Sequence, residues 1–73
     1  MPLIDITVME GVFDEADRHR IMKDVARAFG DAAGGKMYEN TSVRIHETKS
    51  GNWCYGGQIL ETDVGLRIRA DTD

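Results

Sequence analysis

Pro2 follows the initiator methionine directly and is the only proline in 73 residues. Removal of Met1, routine when the second residue is small, would turn Pro2 into a secondary amine at the head of a strand. Two readings are open here. A proline can simply begin a strand, where its missing N–H costs nothing. A strand that starts at residue two also pins the N-terminus instead of leaving it to fray, and a pinned amine is a candidate base. Other residues able to do chemistry are sparse. His19 and His46 lie far apart, and with Cys54, the single cysteine, they make no metal site by spacing. His19 has no ligand partner at helical spacing and reads as a solvated surface residue. Cys54 has no cation near it in sequence to hold a thiolate, so it reads as structural.

The elements that must position these residues are marked by periodicity. In residues 3–9, Ile4, Ile6 and Val8 point one way and Leu3, Asp5, Thr7 and Met9 the other, the period of a half-buried strand. Glu10-Gly11-Val12-Phe13 turns the chain. Asp14 is a good helix N-cap, with Glu15 and Asp17 in the first turn, where the helix dipole favours negative charge. Ile21, Val25 and Phe29 follow at i, i+4, i+8, with Met22 and Ala26 beside them and charged residues over much of the remaining surface. This spacing predicts an amphipathic helix with one buried stripe, running to about Ala33 and ended by Gly34-Gly35 as a glycine C-cap.

Lys36 to Asn40 reads as a loop. Alternation returns over residues 41–47, with Val43 and Ile45 on one face and Ser42, Arg44 and His46 on the other. Strand, helix and strand with one crossover predict a parallel pair. Residues 49–57 read as a turn and a short hairpin, with Gly56-Gly57 at the tight reversal. Beyond Glu61, Val64, Leu66 and Ile68 alternate with Gly65, Arg67 and Arg69. That alternation predicts an extended C-terminal arm over residues 61–73, its apolar face on a neighbouring subunit and its last four residues disordered.

A chain of 73 residues makes one small domain that is marginal alone. With one cysteine there is no internal disulfide framework, so oligomerisation is the expected remedy. Two parallel strands also leave edges that invite a second copy. A net charge of −4 with scattered cations argues against a nucleic-acid partner. No apolar run approaches membrane-spanning length, and no basic region followed by an apolar one opens the chain as a signal peptide would. A cytoplasmic protein with no membrane partner is expected.

Taken in order, Pro2 with its strand, Glu10-Gly11, the amphipathic helix, Ile45-His46-Glu47, and Asn52-Trp53 before Gly56-Gly57 resemble the 4-oxalocrotonate tautomerase family over residues 2 to 60. The resemblance implies an α+β fold: a β-α-β protomer with a short C-terminal hairpin, dimerising into a four-stranded sheet. It further implies a homo-oligomer, usually a hexamer built as a trimer of dimers. It implies a chemistry as well. The amino-terminal proline takes a proton from carbon beside a carbonyl and returns it elsewhere, with no cofactor and no metal. Such a base works best with a pKa near working pH. A free α-amine lies at about 8, and burial or nearby cations disfavour its charged form. A retained Met1 would acylate the nitrogen and abolish its basicity.

The departures from the family pattern are as informative. Well-known members follow Glu-Gly with an arginine that handles the substrate carboxylate and carbonyl; here Val12 stands there. A second family arginine lies on the second strand. Anchoring on Glu47 and Trp53 puts Ser42 at its position, with Arg44 two residues later on the same face. Matching Thr41-Ser42-Val43-Arg44 directly instead needs a two-residue deletion before Trp53, and the ungapped register is preferred. In either register Arg44 is the expected carboxylate-binding residue, against an ordinary charged residue on a solvated strand face.

Trp53 matches the family's aromatic at the pocket wall, against ordinary packing. Tyr55 resembles in position a carboxylate that activates water in the dehalogenase and hydratase branch. A phenol is a poor base at neutral pH, so water addition is disfavoured, and Tyr55 is a candidate to hydrogen-bond a substrate oxygen. Arg67 and Arg69 are candidates to replace the missing arginine, against solvated surface. His46 is expected to face solvent or an interface. The expected function is a keto–enol tautomerase acting on a small carboxylate. The alternatives are a non-catalytic oligomeric scaffold or ligand-binding protein of this fold, or a hydratase or decarboxylase of the same superfamily.

Overall fold

The computed structural model describes residues 1–71. Strand β1 (Leu3–Met9) leads through a turn to helix α1 (Glu15–Ala33) and a single helical turn, α2 (Met37–Asn40). Strand β2 (Ser42–Thr48) then pairs in parallel with β1, in a register that sets Asp5 opposite Arg44 and Thr7 opposite His46. Strands β3 (Trp53–Tyr55) and β4 (Gln58–Leu60) form a separate antiparallel hairpin, and helix α3 (Thr62–Ala70) follows. The fold is thus a small α+β domain with a β-α-β start and two two-stranded sheets.

Alternation in β1 does what its period requires. Ile4, Ile6 and Val8 are half-buried, whereas Leu3, Asp5 and Thr7 are exposed. Helix α1 begins where its side chains satisfy the orphan amides of the first turn. Asp14 Oδ1 accepts from the Asp17 N–H at 2.8 Å, and Asp17 Oδ2 accepts from the Asp14 N–H at 3.0 Å, a reciprocal capping box. The helix ends at Gly34, whose φ of 86° suits glycine and whose N–H donates to Gly30 O at 2.8 Å. The buried stripe differs at its far end. Ile21, Met22, Val25 and Ala26 are half-buried, but Phe29 is exposed and Gly30 is the buried residue. There the backbone of α2 presses on α1 so closely that only a residue without Cβ fits.

Two further expectations are corrected. Residues 37–40 are helical because Thr41 Oγ1 and the Asn40 amide donate back four residues, to Met37 O (2.6 Å) and Lys36 O (3.0 Å). Closing one turn this way needs no hydrophobic period. Residues 62–70 form α3, not an extended arm. Val64 and Ile68 fit i, i+4 as well as alternation, and a segment this short leaves the period ambiguous. Tertiary anchors decide it. The Thr62 N–H donates to Ser50 Oγ at 3.0 Å and its hydroxyl to Glu10 O at 2.7 Å. Gly65 is pressed against Val12, and Arg69 Nη1 donates both to Val12 O (3.0 Å) and to Asp17 Oδ2 (2.9 Å). Ala70 therefore closes a helix instead of opening a disordered tail, and Asp71 follows it; the last two residues of that expected tail lie outside the described residues.

Among the described residues, only Met9 and Val12 are buried apolar side chains, 8% and 7% exposed. The radius of gyration is 14.5 Å with extents of 42 × 24 × 22 Å, against about 11 Å for a compact chain of this length. Leu3, Ile59, Leu66 and Ile68 are between 46% and 71% exposed. One chain alone leaves several large apolar side chains in water.

Candidate functional site

Pro2 is half-buried just ahead of β1, and its carbonyl accepts from the Ser42 N–H at 2.9 Å. That bond belongs to the first pair of the parallel ladder, Leu3 with Ser42, and ties the Pro2 carbonyl to the start of β2. Beside it opens a cleft of about 520 Å³, bounded by Met1 and Pro2 on one side and by Ala33, Gly34, Lys36 and Met37 on the other. A parallel pair brings the start of β2 beside the start of β1, so the segment entering β2 must return to Pro2. Lys36 was missed as a site residue by sequence reading, although this topological rule was available to find it.

Arg44 lies two residues beyond Ser42 on β2, opposite Asp5, which is three residues from Pro2, roughly 10 Å by the strand rise. Its guanidinium grips Asp5 as a fork, Nε to Oδ1 at 2.8 Å and Nη2 to Oδ2 at 3.1 Å. His46 Nε2 lies 3.2 Å from the same Oδ1. All three side chains are exposed on the sheet face away from Ile4, Ile6 and Val8. The Arg44 hydrogen bond, then that of His46, brings the Asp5 carboxyl from 3.8 down to about 2, and Asp5 in turn raises Arg44. A carboxyl lowered by folding stabilises the fold above its unfolded value and loses that contribution as pH falls through the folded one. Urea midpoints of the wild type should therefore exceed those of Asp5→Asn at pH 6, with the gap closing between pH 4 and 2. A gap constant across that window would show that the pair contributes nothing.

Trp53 stands at the other end of β1. It lines a cavity of about 190 Å³ with Met9, Leu60, Val64 and Ile68, and a neighbouring one of about 340 Å³ that reaches Val12 and Phe13. Met9 is seven residues beyond Pro2, roughly 23 Å along an extended strand. Tyr55 is 75% exposed at the hairpin turn, where Gly56 and Gly57 adopt φ of 58° and 85°. Within one chain, then, neither Arg44, Trp53 nor Tyr55 is brought into the Pro2 cleft. Cys54 is exposed on β3 instead of packed inside, and His19 is exposed with Glu15 Oε1 at 4.0 Å.

Val12 is buried against Gly65, leaving no room for a longer side chain directed the same way. Arg69 comes to the same turn from α3. It stacks over Phe13 at 4.9 Å from the ring centroid and binds the Val12 carbonyl and Asp17. Its hydrogen bond, then that of the Asp14 amide, holds the Asp17 carboxyl well below the usual carboxylate range. Among the described residues Arg67 pairs only with Asp63, at 3.8 Å on the surface. Of the two arginines weighed as substitutes, Arg69 reaches the right turn but is engaged there, and Arg67 points elsewhere.

No protein-family model, curated protein or solved structure matches this chain. Its chemistry has to be read from its own residues. Among the described residues no group of three His, Cys, Asp or Glu side chains could hold a metal ion, and no helix is long and apolar enough to cross a membrane.

Proposed function

We propose that this chain is the protomer of a cofactor-independent keto–enol tautomerase acting on a small enol or 2-oxo acid. The Pro2 nitrogen, freed by removal of Met1, serves as general base and then general acid. It takes the enol hydroxyl proton and delivers a proton to carbon, so no electrons leave the substrate and no cofactor is needed. The observation that carries this reading is the placement of Pro2, held by the Ser42 N–H at 2.9 Å on the edge of a cleft of about 520 Å³.

A single chain does not complete the proposed site. Trp53 and Tyr55 lie far from their own Pro2, and the exposed apolar side chains call for further copies. We assign the wall of each cleft to the hairpin of a neighbouring protomer in a homo-oligomer, a hexamer built as a trimer of dimers. The test is ketonisation of phenylenolpyruvate or 2-hydroxymuconate, followed by absorbance, with protein whose mass shows Met1 removed. Acceleration over buffer that falls in Pro2→Ala supports the proposal, and a rate unchanged in Pro2→Ala sinks the mechanism.

The engagement of Arg44 with Asp5 and the burial of Val12 favour a second reading, a non-catalytic scaffold or ligand-binding protein. Treatment with a 3-halopropiolate at neutral pH separates the two. A mass adduct on Pro2 requires a nucleophilic amine, whereas unmodified protein favours the scaffold.

A further inference from the structure

We propose that Lys36 is the carboxylate-binding residue of the Pro2 cleft, and that the cleft takes a small carboxylate with an apolar body. The catalytic meaning of this assignment rests on the reading of Pro2 as a base; the binding does not. In a chain with a net charge of −4, the described residues bounding this cleft include one with a cationic side chain, Lys36, and none with a carboxylate side chain. Among the described residues the Lys36 ammonium has no ion-pair partner, so an incoming anion displaces only water from it. Arg44 offers a ligand much less. Two nitrogens of its fork already hold Asp5, which His46 also supports, and a substrate carboxylate would have to displace a bidentate partner.

The segment carrying Lys36 is held in place. The Asn40 amide donates to Lys36 O at 3.0 Å, so α2 fixes the backbone from which the ammonium reaches. Around Gly34 and Gly35 there is room, since a Cβ at either would meet nothing within 4 Å. Ala33 and Met37 give the cleft apolar surface. One side-chain cation beside apolar walls suits a carboxylate on an apolar stem.

Titration of 15N-labelled, Met1-free protein with phenylpyruvate tests the assignment without calling on catalysis. Saturable amide shifts are expected at residues 34–40. Lys36→Met should weaken binding about tenfold or more, equivalent to about 1.4 kcal/mol, while Lys36→Arg restores it and Arg44→Met leaves it unchanged. Binding that survives Lys36→Met, shifts centred on Arg44 and His46, or no saturable shift at all would overturn the proposal. Ketonisation measured on the same samples reports on Pro2 separately: an inactive protein that binds phenylpyruvate through Lys36 refutes the tautomerase and leaves the carboxylate site standing.

Discussion

Blocking the Pro2 nitrogen is expected to slow ketonisation by about 10²–10⁴-fold, the range that a positioned acid–base group contributes. A two-residue extension that stays in place ahead of Pro2 converts its amine into a tertiary amide, with no basic lone pair and no N–H. The strand should not notice. Its anchoring bond uses the Pro2 carbonyl, which still accepts from Ser42, and β1 begins only at Leu3. Unchanged circular dichroism beside a lost rate therefore isolates the nitrogen. Pro2→Ala keeps an amine but loses the ring that orients it, so its loss should be smaller than that of the extended protein. An extended protein as fast as the processed one would remove Pro2 from the reaction.

Gly30→Ala is expected to destabilise the protein by about 1–2 kcal/mol, although alanine in an exposed helix interior would be worth about 1 kcal/mol in the other direction. The sign is reversed by what the methyl group would meet. It would stand 2.5 Å from Cα and 2.7 Å from N of Tyr38, and closer still to its Cβ. These are backbone or backbone-bound atoms, which cannot swing aside as a side-chain tip can, and overpacking of this kind costs about 1–3 kcal/mol. The cheapest escape is for α2 to lift off α1, breaking the contact of Arg27 over the Tyr38 ring at 4.5 Å. Residues 36–40 would move with it and deform the Pro2 cleft. Urea unfolding gives the energy, and hydrogen exchange at residues 37–41 gives the location. Unchanged or increased stability would mean that α2 is not docked as described.

The parts of the fold legible in the sequence are those where one signal acts locally. Ile4, Ile6 and Val8 have no period but two, Asp14 and Asp17 can complete a capping box without distant help, and Gly56-Gly57 specifies its own turn. Helix α3 was not legible because Val64 and Ile68 satisfy both periods, and the anchors that choose between them come from Ser50, Glu10 and Asp17. Of the candidate site, Pro2 could be singled out from the sequence because its case depends on chain position. Arg44 was visible as a cation on a strand face, but its partner across the register was not, since Asp5 lies 39 residues away. Lys36 was hidden by its place in an apparent loop. It joins the cleft only when the strand it precedes has been paired.

Asp17 has a consequence for the order in which the chain folds. One oxygen pair closes the capping box of α1, holds Arg20 at 2.9 Å, and receives Arg69 from a helix 52 residues further on. Until α1 has nucleated, the carboxylate has no fixed position and Arg69 nothing to land on. A local contact thus precedes a distant one built on the same atoms, as loop-closure entropy favours. In pulsed-exchange refolding, amides of α1 should gain protection before those of α3, and in native-state exchange α3 should be the first element to open. The C-terminal helix is the late arrival of this chain and its early leaver, tethered by a carboxylate that had already served another purpose.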